Sequence, residues 1–118
     1  MKKTDLKYLI TTTNNNPEII LELIDIFIDQ IGEFNNDFQK LYDLKNFDAL
    51  GKLAHKAKSS VAIMGMEDLA RRLKDLENST RDGKNVGTYA KTIAAFKQET
   101  AEAVRELNLV TKNLELYF

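Results

Sequence analysis

One histidine, His55, stands in this chain of 118 residues, in the run Leu53-Ala54-His55-Lys56-Ala57-Lys58-Ser59-Ser60. The apolar residues around it, Leu50, Leu53, Ala54, Ala57, Val61 and Met64, recur at the three- and four-residue spacing of a buried helical stripe. At about 100° per residue, the imidazole points roughly 150° from the centre of that stripe, so it is predicted to face solvent. Its neighbours one and two turns away are Gly51, Ser59 and Ala62, all small. A glycine inside an exposed helix costs about 1 kcal/mol relative to alanine. Gly51, Ser59 and Ala62 together clear the space around one ring, which predicts a docking surface with a reactive group at its centre.

An exposed imidazole has several uses, and an ordinary surface histidine is one of them. Metal binding is poorly served, because the chain has no second histidine and no cysteine, leaving only carboxylates as further ligands. General-base catalysis needs a pocket, and the pattern predicts an open helix face. Nucleophilic transfer fits better: an imidazole is neutral in useful amount near neutral pH, and its nitrogen attacks phosphorus to give a phosphoramidate. A phosphoryl group brings negative charge, and Lys58, three residues on, is the cation placed one turn away to stabilise it. The Ser59 hydroxyl, at i+4, is a further donor, whereas Lys56 projects elsewhere and reads as a solvated charge.

These residues need a rigid helix and something to pack it against. The only proline, Pro17, follows Asn16 and precedes Glu18, which predicts an N-cap, a proline at the first helical position and an acid in the first turn. From there Ile20, Ile24, Phe27, Ile31, Phe34, Phe38 and Leu41 alternate at spacings of four and three, giving one long helix to about Leu44, bent near Gly32. A Lys45-Asn46 connection leads into the histidine helix, roughly 47–64, with Gly65 placed to end it in a left-handed conformation. A further helix is expected over 67–79 with Leu69, Leu73 and Leu76 buried. Residues 78–87, rich in Asn, Ser, Thr, Asp and Gly, read as a loop. The last helix, about 86–109, carries a seam of Val86, Tyr89, Ile93, Phe96, Thr100, Val104 and Leu107. Residues 4–12 are expected to form a short leading helix that lids the bundle. No stretch shows sustained period-two alternation. The fold class is therefore all-α: an up-down four-helix bundle over about 17–109 with a short additional N-terminal helix, in one domain spanning 1–118.

Composition excludes much else. A formal net charge of −1 gives no bias toward nucleic acid or an anionic membrane, and no aromatic interleaving accompanies the basic Arg71, Arg72 and Lys74. Without cysteine there are no disulfides and no thiol nucleophile. The longest apolar-rich stretch, 19–31, is broken by Glu22, Asp25, Asp29 and Gln30, so no membrane span is expected. No signal-peptide core follows Lys2 and Lys3. The expectation is a free-standing cytoplasmic protein, a monomer, that binds no nucleic acid. No nucleotide-binding glycine loop is present, so an autonomous kinase is not expected. The apolar end, 113–118, is too short to assign.

With those residues in hand, His55-Lys56-Ala57-Lys58-Ser59-Ser60, followed by Gly65 and Leu69, resembles the signature of histidine-containing phosphotransfer (HPt) domains. Their usual pattern is His-x-x-Lys-Gly-Ser/Ala, with a glycine about ten residues after the histidine and a leucine four beyond. Phe27-Ile28-Asp29-Gln30 resembles the helix preceding the phosphorylated histidine, and the likeness covers roughly 17–108. The resemblance implies that His55 is a phosphoacceptor in two-component signalling, taking a phosphoryl group from a receiver-domain aspartate and passing it to another receiver. It implies Lys58 as the nearby cation and Gln30 as a hydrogen-bonding group across from the ring. Partners would be response-regulator receiver domains and a hybrid histidine kinase. No cofactor is implied in this chain, the Mg²⁺ being supplied by the receiver. Ser59 departs from the family's glycine. Glu77 falls where some relatives carry a glutamine; a carboxylate there either orients the ring through its other nitrogen or sits in solvent, and solvent is the expectation. Ile26, on one stripe with Gln30 and Glu33, either contacts the receiver or packs under Leu6, Leu9 and Ile10. The competing reading of the same face is a non-catalytic helical adaptor.

Overall fold

The structure, a computed structural model, describes residues 3–113. Helix α1 spans Lys7–Thr12, α2 Pro17–Asp43, α3 Phe47–Ile63, α4 Glu67–Asp82 and α5 Tyr89–Lys112, with a 3₁₀ turn at Val86–Thr88. No strand occurs among the described residues. Helix α2 packs on α3 and α5, and α4 packs on the same two, so the four long helices close an up-down ring. Among the described residues, no helix is long and apolar enough to cross a membrane.

Local chemistry starts and stops these helices where the sequence indicates. The Asn16 side chain accepts hydrogen bonds from the backbone N–H groups of Glu18 and Ile19, at 3.0 and 3.3 Å, with Pro17 first in the helix. Asn46 caps α3 in the same way through Ala49 N–H at 3.3 Å. Gly65 takes φ +78° after α3, and a side chain there would meet the backbone of Asp5. The core is built from Ile20, Ile24, Phe27, Ile31 and Phe38 of α2, the small α3 residues Ala54 and Ala57, the leucines of α4, and Tyr89, Ile93, Phe96 and Leu107 of α5. Phe38 meets Phe96 edge-on at 4.9 Å, and Phe47 meets Tyr89 at 5.2 Å. Phe34 and Leu41, expected in the seam of α2, are only partly buried.

Three boundaries differ from the sequence reading. The N-terminal helix begins at Lys7 rather than near residue 4. Residues 3–5 instead run over the end of the bundle, where the Glu106 carboxylate accepts from Lys3 N–H, Thr4 N–H and the Thr4 hydroxyl, at 2.6, 3.1 and 3.0 Å. Asp5 N–H donates to Met64 O at 2.9 Å, which ties this segment to the end of α3. Helix α4 continues through the expected loop to Asp82 and is capped by left-handed Gly83, because its last turn is held against α3. Val86 does not belong to the α5 seam: it is 45% exposed in the 3₁₀ turn, and α5 runs from Tyr89 to Lys112. The apolar residues 114–118 lie outside the described region.

Candidate functional site

His55 projects from the middle of α3, its side chain 62% exposed. The apolar face of the same helix is fully buried at Leu50, Ala54, Ala57 and Val61, so the ring is carried on a helix that cannot roll. Its Nδ1 lies 2.9 Å from Oε2 of Glu77 on α4. The other oxygen of that carboxylate, Oε1, accepts from Lys58 Nζ at 3.2 Å. Glu77 is thus not in free solvent, as the sequence suggested, but bridges the histidine and the lysine. Burial acts to raise its carboxyl pKa; the Lys58 hydrogen bond and the positive charges of Lys58 and His55 outweigh this and hold it below the usual carboxylate value.

An ionised carboxylate accepts and cannot donate, so a neutral ring beside it carries its proton on Nδ1. The lone pair is then on Nε2, for which the described residues provide no partner. This arrangement produces a fixed imidazole with one free, nucleophilic nitrogen and a carboxylate placed to stabilise positive charge on the ring. Among the described residues, no group of three or more His, Asp or Glu side chains is placed to hold a metal ion.

The remaining candidates are spread around this centre. Ser59 and Ala62 are exposed on the histidine's face. Gly51 is buried, which corrects its reading as part of an open surface: α4 covers that flank, and Thr80 sits directly over it. Gly51, His55, Glu77 and Thr80 instead line a shallow cavity of about 350 Å³ beside the ring, so the face is less open than expected. Gln30 is not on the imidazole. Its amide oxygen accepts from the Ser60 hydroxyl at 3.2 Å, five residues past His55 and thus about 7.5 Å along the helix axis. Ile26 is 53% exposed on α2, whereas Leu9 of the N-terminal segment is buried in the core. Ile63, also exposed, adds apolar surface at the end of α3.

The Hpt domain family matches this chain over residues 22–106, more than two thirds of its length. The chain belongs to the Hpt domain family. The match spans the histidine helix and α4, and α2 from residue 22 onward. Nothing among the curated proteins and nothing among the solved structures matches the chain. Membership implies a histidine phosphotransfer role in two-component signalling, the family's domains being phosphotransfer carriers. It also implies interaction with receiver domains and histidine kinases.

Proposed function

We propose that this Hpt domain is a phosphorelay intermediate in which His55 takes a phosphoryl group from the aspartyl phosphate of one receiver domain and delivers it to another. The observation that carries the reading is the Glu77 contact at 2.9 Å, which leaves Nε2 as the free nitrogen of an exposed ring. In the forward step Nε2 attacks phosphorus in line with the leaving oxygen. The new bond is P–N, the broken bond is P–O, and the electron pair returns to the receiver's aspartate as a carboxylate. No proton leaves the ring. The Nδ1–H stays on Glu77, whose negative charge opposes the positive charge that grows on the imidazole as it is phosphorylated. Lys58 stands one turn away for the charge of the phosphoryl oxygens.

In this reading the Mg²⁺ that neutralises the transferring group resides in the receiver, and the Hpt domain contributes the nucleophile, its orientation and a docking surface. That surface comprises Ile26, Ser59 and Ala62; Gly51, covered by Thr80, is not part of it. The chain acts as a cytoplasmic monomer, since a dimer formed over α3 would cover the same surface. Docking is transient, because a carrier must dissociate after transfer.

The test is label transfer from a phosphorylated receiver to this chain, with His55→Gln alongside. Acid-labile, alkali-stable label that is absent from a folded His55→Gln variant establishes the carrier. Binding of receivers without transfer, unaffected by His55→Gln, would make the domain an adaptor.

A further inference from the structure

The carboxylate that orients His55 sits near the end of its helix. Glu77 lies six residues before Gly83, where α4 stops, and terminal turns are the part of a helix most prone to open. Something must hold this turn against α3 if the 2.9 Å contact to the ring is to persist. The two helices run antiparallel, and their facing pairs stack in rungs: His55 faces Glu77, and one turn away Gly51 faces Thr80. A Cβ on Gly51 would overlap the Thr80 hydroxyl and lie 3.2 Å from Thr80 Cβ and 3.6 Å from Glu77 O. Thr80 therefore rests on bare backbone. Its hydroxyl is not free to turn away, because it donates to Glu77 O at 2.9 Å, the carbonyl of the same residue whose side chain meets the histidine.

We propose that Thr80, seated on Gly51 and bonded to the backbone of Glu77, is the positioning residue that holds the Glu77 carboxylate on His55. Its consequence for transfer rests on the phosphoacceptor reading of His55; its consequence for the ring does not. A methyl at residue 51 displaces the Thr80 hydroxyl from Glu77 O and pushes the last turns of α4 outward by a few tenths of an ångström. The His55–Glu77 hydrogen bond lengthens, and the preference for the proton on Nδ1 weakens. The absence of a side chain at residue 51 is thus a requirement of the ring's orientation, not of partner docking.

Nitrogen-15 NMR of the His55 imidazole reads the tautomer directly, without any partner. Gly51→Ala is expected to move the ring signals from the Nδ1–H pattern toward a mixture with Nε2–H. It should also slow transfer at saturating receiver by about fivefold while leaving receiver affinity unchanged. The double variant Gly51→Ala/Thr80→Gly removes the overlapping atoms together with the hydroxyl that bonds Glu77 O, so it is expected to relieve the overlap while the tautomer stays shifted. Thr80→Val, which keeps the shape but loses the bond to Glu77 O, should shift the tautomer in the same direction, and Thr80→Ser should not. These two serve if Gly51→Ala proves poorly folded. A wild-type tautomer pattern in both Gly51→Ala and Thr80→Val overturns the proposal. A wild-type protein that accepts no phosphoryl group overturns the phosphotransfer reading instead and leaves the NMR result standing.

Discussion

Replacing Glu77 by glutamine is the most informative single change, because it conserves shape and removes only charge and one acceptor. Glu77 serves two donors with two oxygens, His55 Nδ1 at 2.9 Å and Lys58 Nζ at 3.2 Å. A glutamine has one oxygen and one NH₂ group. With the oxygen on the ring, the NH₂ faces the Lys58 ammonium, donor against donor. With the oxygen on Lys58, the NH₂ donates to Nδ1, which moves the ring proton to Nε2 and removes the attacking lone pair. A hydrogen bond to a charged group contributes about 1.5–3 kcal/mol. The ring is mostly solvent-exposed, so screening places the effect at the lower end, about 1.5 kcal/mol. The charge on Glu77 is most useful as the ring becomes positive, so the loss falls on the transfer step and predicts roughly a tenfold slower reaction. Rapid-quench single-turnover transfer from a phosphorylated receiver, run across receiver concentrations, separates rate from docking. A saturating rate within twofold of wild type, or a loss confined to receiver affinity, would refute the role assigned to the carboxylate.

Four other outcomes are expected. Lys58→Gln should slow transfer about two- to tenfold in the same assay, a partly buried cation contributing on the order of 0.5–1.5 kcal/mol. The pKa of Glu77 is lower in the folded chain than its ordinary value, so its stabilising contribution is complete above the usual carboxylate range and lost as pH falls through the lower folded value. The melting-temperature advantage of wild type over Glu77→Gln should accordingly shrink on acidification, and an advantage that grew would contradict the assignment. Gly65→Ala should lower stability by at least about 2 kcal/mol in denaturant unfolding, combining a left-handed backbone with contact against Asp5. Ile26→Ser should weaken receiver binding by about fivefold in calorimetric titration: burying the exposed half of an isoleucine contributes about 1 kcal/mol.

What the sequence made legible was local. Asn16 and Pro17 start a helix through atoms three residues apart, and Gly65 ends one through its own φ. His55 and Lys58 share a helix, so their spacing determines their proximity. Glu77 was misjudged because its contact spans 22 residues and depends on the register between α3 and α4. The one available signal was its position beside Leu73 and Leu76, at the edge of the buried seam rather than on the outer face. Gly51 was misread for the same reason: a helical wheel knows only its own axis, and it was the neighbouring helix that covered this flank. The segment from Asn78 to Asp82 has the composition of a loop, yet Ser79 and Thr80 are half-buried and Thr80 is bonded back to Glu77 O. Tertiary contact overrode weak helix propensity there.

Lys58 is already engaged before any phosphoryl group arrives, its ammonium resting on one oxygen of Glu77. In the role proposed for Lys58, an incoming phosphoryl group competes for a lysine that already has a counter-ion, so the gain from the new contact is offset in part by weakening of the old one. When the group departs, the lysine returns to Glu77. This exchange of counter-ions keeps the loaded and empty forms closer in free energy than an unpaired lysine would. A site that gripped its cargo strongly would be an end point, whereas one that trades partners at each step can run in either direction, as the concentrations of phosphorylated receivers dictate.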